Sequence, residues 1–126
     1  MSAFRVLVVI ENDPDMRRLI RLELMDDPEM EVSGEAATVD AAIELMRGAE
    51  TGLVILDHFL DDETRGIEAA PALKAAAPGA RILLLTSDDL AAEARRQPAI
   101  DAYLRKTDID KLLPTARELL GLTTES

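Results

Sequence analysis

The sequence predicts an α/β domain in which helices cover both faces of a five-stranded parallel sheet. Short apolar runs alternate five times with helical patterns, and the 126 residues suffice for one domain of this class. Several of these runs are apolar at consecutive positions, which is typical of parallel strands buried on both faces. Among doubly wound sheets, the strand order 2-1-3-4-5 fits five βα units.

Five segments have the length and composition of strands. Residues 4–10 form a run rich in β-branched side chains, and residues 31–36 form a weaker second strand. Residues 53–56 and 82–85 are continuous apolar runs, and residues 102–104 make a short fifth strand. Each is bounded by polar or turn-forming residues, so we expect five separate strands.

Three intervening segments read clearly as helices. Asp13 and Pro14 supply an N-cap and a proline at the first position of the first helix. Apolar residues recur at helical spacing in the second helix, about residues 39–46, and in the fifth, about residues 109–120. Both patterns predict one face packed on the sheet.

The two other helices contain or meet a proline. The third covers about residues 66–77, and Pro71 should kink or delay it. The fourth, residues 88–97, is short and stops at Pro98. We expect one domain over residues 1–126, with a core of about 4–121 and a polar, frayed tail at 122–126.

Composition and charge exclude several functions. Fourteen basic against 25 acidic residues give a net charge of −11, which opposes binding to nucleic acid or to an anionic membrane. The chain lacks cysteine and has one histidine, His58, so thiolate chemistry and histidine-rich metal sites are not expected. No secretory signal or run long enough to span a bilayer is visible, and we expect a cytoplasmic protein.

Polar residues collect where the strands end, which is the ligand-binding edge of a doubly wound sheet. They fall at residues 11–13, 57–59, 86–89 and 105–107. Clustered carboxylates with other oxygen ligands suit Mg²⁺, and an aspartate beside that ion can act as a nucleophile toward phosphorus. A lysine and a hydroxyl at the same edge suit the phosphoryl oxygens.

Four short motifs occur in order, one at the end of each of these strands: VLVVIENDP at 6–14, VILD at 54–57, LLLTS at 83–87 and AYLRK at 102–106. Together they resemble the receiver domain of bacterial response regulators, the CheY-like superfamily with a flavodoxin-like fold, over about residues 4–121. The stretch 32–36 and the helix after it resemble receivers of helix-turn-helix regulators of the NarL type.

The resemblance implies a site that binds Mg²⁺ and accepts a phosphoryl group. Its residues would be the phosphoacceptor Asp57, the metal ligands Glu11, Asn12, Asp57 and the backbone carbonyl of Phe59, the phosphoryl-binding Thr86 and Lys106, and the switch pair Thr86 and Tyr103.

Several positions depart from the family pattern. Asn12 stands where an aspartate normally binds Mg²⁺ directly, and the lost charge predicts weaker metal binding. The loop after Asp57 carries Asp61 in place of a proline, and its glycine, Gly66, comes one residue late. Thr107 replaces the proline that usually follows the lysine.

Two departures concern the lifetime and the output of the switch. Phe59 is bulky and apolar, which predicts shielding of an acyl phosphate from water and slow self-dephosphorylation. The stretch from Thr86 to Lys106 is about two residues short, which shortens the fourth helix. That helix, the fifth strand and the fifth helix form the usual output face of the family.

The leading interpretation is a phosphorylation switch, a signalling module that catalyses only its own phosphoryl transfer. Its expected partners are a histidine kinase or phosphotransfer protein, which would meet the first helix, and a downstream protein or an output domain. A homodimer through the output face stays open. The alternative is a phosphorylation-independent pseudo-receiver with a weakened metal site at Asn12. A flavodoxin-like carrier or a haloacid-dehalogenase-type phosphatase on the same fold is disfavoured by the residues that follow strands 1 and 3.

Overall fold

A computed structural model describes residues 4–9, 13–47, 50–60 and 63–122. Five parallel strands form one sheet in the order β2-β1-β3-β4-β5, which confirms the predicted topology. The strands are β1 (Phe4–Val9), β2 (Met30–Ala36), β3 (Leu53–Leu56), β4 (Arg81–Thr86) and β5 (Ala102–Arg105).

The described ranges also contain five α-helices and one 3₁₀ helix. They are α1 (Pro14–Met25), α2 (Val39–Arg47), α3 (Gly66–Ala76), α4 (Ala91–Arg95), the 3₁₀ helix Lys106–Lys111 and α5 (Leu112–Leu119). Within those ranges no helix has both the length and the apolar content that a bilayer crossing requires.

The sheet divides the interior into two cores because successive strand residues face opposite sides. Val54, Leu56, Ile82 and Leu84 belong to one core, which α2, α3 and α4 cover. The alternate residues of β3 and β4 belong to the other, which α1 and α5 cover. Both strands are fully buried apart from Arg81, as continuous apolar runs predict.

The start of α1 follows the predicted capping chemistry. The Asp13 carboxylate accepts hydrogen bonds from the amides of Asp15 and Met16 at 3.0 and 3.2 Å, and Pro14 occupies the first turn. These contacts satisfy two amides that have no partner within the helix. Asp13 is therefore engaged in the cap.

The predicted bounds of the fourth helix are wrong. Residues 88–90 are not helical, and α4 extends only from Ala91 to Arg95. The reason is tertiary, because side chains of β5 hold the segment between β4 and α4 in a turn. We call residues 87–90 the β4–α4 loop.

The structure differs from two further predictions near the C-terminus. The sequence predicts the fifth helix from about residue 109, but the 3₁₀ helix reaches Lys111 and contains non-helical backbone angles at Asp108. The sequence places Leu122 in a frayed tail, yet its amide donates to the Arg117 carbonyl at 2.8 Å. Its side chain packs on the α1–α5 core, so Leu122 belongs to the packed domain.

Candidate functional site

Asp57 follows β3 at the carboxyl edge of the sheet, where the sequence predicts the phosphoacceptor. Its side chain is almost completely buried, with the whole residue 3% exposed. Oδ2 lies 3.0 Å from Nζ of Lys106, and Oδ1 accepts the amide hydrogen of His58 at 2.7 Å. A buried carboxylate needs such partners, because burial of an unpaired charge is strongly unfavourable.

Lys106 reaches this carboxylate from the end of β5. β4 lies between β3 and β5 in the sheet, and Leu84 pairs with Leu56 on one side and with Tyr103 on the other. The long lysine side chain spans that gap and keeps partial contact with solvent. The structure thus brings together two residues that are 49 positions apart in the chain.

Gly66 forms a wall of the site. The sequence indicated Gly66 only as the family glycine displaced by one residue. Its amide donates to the His58 carbonyl at 2.6 Å. A Cβ atom at Gly66 would lie 2.2 Å from the carbonyl oxygen of Asp57, a distance that real side chains do not adopt. The backbone at Asp57 and His58 can approach α3 this closely only because residue 66 has no side chain.

The loop between Asp57 and α3 is a small hairpin. Phe59 and Arg65 form an antiparallel bridge, and the Leu60 amide donates to the Thr64 carbonyl at 3.3 Å. Glu63 has φ of 65°, the left-handed conformation that closes the turn. Asp61 and Asp62, the acids noted in this loop, lie outside the described residues.

Phe59 is held by its neighbours on two sides. The Arg65 guanidinium lies 4.5 Å from the centre of the phenyl ring, and the His58 ring meets it edge-on at 5.0 Å. Both arrangements match the favourable geometries of a cation and of a second ring around an aromatic side chain. Sequence reasoning singled out Phe59 but missed Arg65, which lacks any local signal.

His58 contacts α3 and Phe59. Its Nδ1 lies 3.5 Å from the Ile67 amide. Burial lowers the pKa of His58, and the positive charge of Arg65 lowers it further against the opposing effect of nearby carboxylates. His58 is therefore neutral near pH 7, with its ring packed in the hairpin.

Thr86 ends β4 at the same edge of the sheet as Asp57 and is fully buried. Its Oγ1 accepts a hydrogen bond from the Asp88 amide at 3.3 Å. In the register of β3 with β4, Asp57 lies one residue and Thr86 two residues beyond the Leu56–Leu84 pair. The hydroxyl proposed for phosphoryl binding is thus coupled to the β4–α4 loop.

Tyr103 connects β5 to the same loop. Its hydroxyl donates to the Asp88 carbonyl at 2.8 Å and accepts from the Leu90 amide at 3.0 Å. The ring packs partly buried against the core under α3 and α4. The residue that the resemblance names as the switch aromatic therefore holds the segment that follows Thr86.

The candidate metal ligands among the described residues are oxygen atoms. They include the Asp57 carboxylate and the Phe59 carbonyl, which stays outside the two backbone hydrogen bonds that close the hairpin. Such hard oxygen ligands fit Mg²⁺. Glu11 and Asn12, the other predicted ligands, lie outside the described residues, and the described ranges hold no group of three potential metal-ligating side chains.

A family model for the response regulator receiver domain matches residues 7–117, which is most of the chain. The chain belongs to the response regulator receiver family. This receiver is a module of two-component signalling. Members of the family generally bind Mg²⁺ and interact with histidine kinases and output domains.

Two curated relatives support this assignment. The nitrate/nitrite response regulator NarP of Escherichia coli K12 is 32% identical over 119 residues, 92% of this receiver and 54% of NarP. The response regulator VraR of Staphylococcus aureus is 30% identical over 105 residues, 81% of this receiver and 50% of VraR. The chain thus spans about half the length of these relatives.

Solved structures share the fold. A LuxR-family two-component response regulator from Aurantimonas sp. SI85-9A1 superposes with a TM-score of 0.84 at 28% identity, covering 95% of this chain and 86% of that one. The response regulator domain of Thermotoga maritima CheB gives a TM-score of 0.80 at 20% identity, with 96% and 98% covered. The resemblance to receivers of NarL-type regulators is confirmed.

Proposed function

We propose that this receiver is a phosphorylation switch in which Asp57 accepts a phosphoryl group from a phosphohistidine of a kinase or phosphotransfer protein. The observation that carries the proposal is the buried Asp57 carboxylate at the sheet edge, with Lys106 Nζ 3.0 Å from Oδ2. A structural ion pair would not require the neighbouring hydroxyl of Thr86 or the closely fitted Gly66.

Phosphoryl transfer here needs positioning more than covalent chemistry from the protein. An Asp57 carboxylate oxygen attacks phosphorus, an O–P bond forms, and the N–P bond to the donor imidazole breaks. Lys106 then moves from the carboxylate to a phosphoryl oxygen, and Thr86 donates its hydroxyl to another. Mg²⁺, held by Asp57, the Phe59 carbonyl, Glu11 and Asn12, would supply positive charge against the transferred group.

The change reaches partners through the β4–α4 loop. When Thr86 turns its hydroxyl toward the phosphoryl group, its contact with the Asp88 amide changes, and Tyr103 follows because its hydroxyl binds the same loop. The face formed by α4, β5 and α5 then alters its affinity for a partner. Because the match covers only about half of each relative, an output domain is one such partner and a separate protein is another.

Intact-protein mass after incubation with acetyl phosphate tests this function. We expect a gain of one phosphoryl mass that requires both Mg²⁺ and Asp57, with Asp57→Ala and Asp110→Asn as the target and control variants. No gain on folded protein at high Mg²⁺ would overturn the switch and favour the pseudo-receiver. Repeating the assay with Asn12→Asp then shows whether the missing carboxylate is the cause.

The same assay measures the lifetime of the acyl phosphate. We expect slow loss of the phosphoryl mass after acetyl phosphate is removed, because the Phe59 ring, packed between Arg65 and His58, shields the site from water. Phe59→Ala should shorten the lifetime and Phe59→Leu should largely preserve it. Loss within seconds in the unmodified protein would contradict this role of Phe59.

A further inference from the structure

Arg105 contacts the β4–α4 loop from the residue before Lys106. Its guanidinium NH2 donates to the Ser87 carbonyl at 2.9 Å. Arg105 pairs with Thr86 in the β4–β5 register, so its backbone lies directly beside the residue that carries the switch hydroxyl. Neither local periodicity nor the family resemblance indicates a role for this arginine.

Arg105 and Tyr103 share one face of β5, since they are two residues apart in a strand. Together they hold three backbone groups of the loop, because Arg105 binds the Ser87 carbonyl while Tyr103 binds the Asp88 carbonyl and the Leu90 amide. The Asp88 amide, between these contacts, binds Thr86 Oγ1. The position of the Thr86 hydroxyl is therefore tied to a loop that two β5 side chains fix.

The arginine does not use all its donors in this arrangement. Its Nε is buried and has no acceptor among the described residues. A buried donor without a partner is unfavourable, so a loop position that offers Nε a second acceptor would be favoured. Arginine is suited to such an exchange because its donors form a rigid fork that can bind two acceptors.

We propose that Arg105 is a positioning residue of the switch. With Tyr103 it clamps the β4–α4 loop, and the unused Nε binds an acceptor when phosphorylation moves the loop. This inference rests on the proposed phosphorylation of Asp57 for its second half. The clamp itself belongs to the unphosphorylated protein, so the two parts can be tested separately.

Amide hydrogen exchange of the unphosphorylated protein tests the clamp. Arg105→Met should speed exchange of the Asp88 and Leu90 amides by about three- to tenfold, the range expected for loss of one hydrogen bond. The Leu84 amide, in the middle of β4, should be unchanged. Arg105→Lys should restore slow exchange, because an ammonium group can still donate to the Ser87 carbonyl.

Arg96→Met is the matched control, since it removes an exposed arginine from the end of α4 with no side-chain contact to the loop among the described residues. Tyr103→Phe should release the Leu90 amide, and the double variant with Arg105→Met should depart from additivity if the two side chains act together. Unchanged loop amides in Arg105→Met, or equal acceleration along β4, would overturn the clamp.

Phosphorylated protein tests the second half. We expect the Nε–H resonance of Arg105 to shift and to exchange more slowly after treatment with acetyl phosphate and Mg²⁺, and Arg105→Met to shorten the lifetime of the phosphoryl mass. An unchanged resonance on a protein that has gained the phosphoryl mass would overturn the exchange of acceptors. Absence of any mass gain would instead refute the proposed function, and the exchange data would still decide the clamp.

Discussion

At the scale of single residues, Gly66 shows how tightly the site is built. The α3 N-terminus meets the backbone that follows Asp57, and the closest approach falls at the one residue without a side chain. Asp57 itself has its two carboxylate oxygens bonded to different elements, one to its own loop and one to Lys106. The Asp57 carboxylate therefore has little freedom to move.

Gly66→Ala should destabilise the protein by about 1–3 kcal/mol or more, because the added methyl group forces the Asp57 backbone and α3 apart. Chemical denaturation measures the loss. Gly79→Ala is the control, since a Cβ there has open space around it and φ is not in the left-handed region. Equal effects of the two substitutions would show that the close contact with Asp57 carries no cost.

At the scale of elements, a side chain that follows α4 supplies a hydrogen bond that Pro71 removes from α3. Pro71 lies inside α3 and has no amide hydrogen, so it cannot donate to the Ile67 carbonyl four residues earlier. The Gln97 side chain, which follows α4, donates to that carbonyl at 3.4 Å. The sequence predicts a helix over about residues 66–77 that Pro71 kinks or delays, and the structure shows α3 starting at Gly66 without delay and continuing through Pro71 to Ala76.

A double-mutant cycle tests this link. Gln97→Met should cost about 0.5–1.5 kcal/mol in the presence of Pro71, the usual net value of one hydrogen bond. In a Pro71→Ala background the helix supplies its own donor, and Gln97→Met should cost less. Denaturation of the four proteins gives the coupling free energy between the two positions. Strictly additive effects would argue against compensation of Pro71 by Gln97.

At the scale of the whole molecule, two ion-pair clusters connect distant segments. Arg117 of α5 lies 2.5 Å from the Asp27 carboxylate and 3.1 Å from that of Glu29, which ties α5 to the segment between α1 and β2. Lys74 of α3 lies 2.7 Å from the Asp101 carboxylate before β5. Asp101 also accepts the Ile82 amide at 2.8 Å.

Burial alone would raise the pKa of Asp27, but the Glu29 amide and the Arg117 guanidinium outweigh it and lower the pKa below the ordinary value of 3.8. Burial would likewise raise the pKa of Asp101, but the contacts with Lys74, the Ile82 amide and Arg81 outweigh this effect and lower the pKa. Carboxylates with lowered pKa stabilise the fold above their unfolded pKa.

The stabilisation is therefore complete above about pH 4 and is lost as the pH falls through the lowered pKa values. We expect the free energy of unfolding to decrease on acidification below about pH 4, and Asp27→Asn and Asp101→Asn each to flatten that decrease. Denaturation across this range measures the slopes. Asp110→Asn, which changes an exposed carboxylate, is the control. If the free energy of unfolding of Asp27→Asn or Asp101→Asn falls with pH as steeply as that of Asp110→Asn, the stabilising role of that carboxylate is contradicted.

Apolar periodicity in the sequence predicts the five strands and the sheet edge that gathers Asp57, Thr86 and Lys106, because strands and their ends are local properties that follow from burial on one or two faces. The strand order follows from the arrangement common to five βα units. The family resemblance added roles to these residues, and those roles, with Glu11 and Asn12 as metal ligands, stay predictions.

Tertiary contacts set the length of α4, the contact of Arg105 with Ser87, the hydrogen bond from Gln97 to α3 and the position of Leu122. Each depends on a side chain or backbone group that contacts an element remote in the chain. The alternative local conformations differ in free energy by about the net contribution of one hydrogen bond, so no local pattern predicts which of them forms before the core is packed.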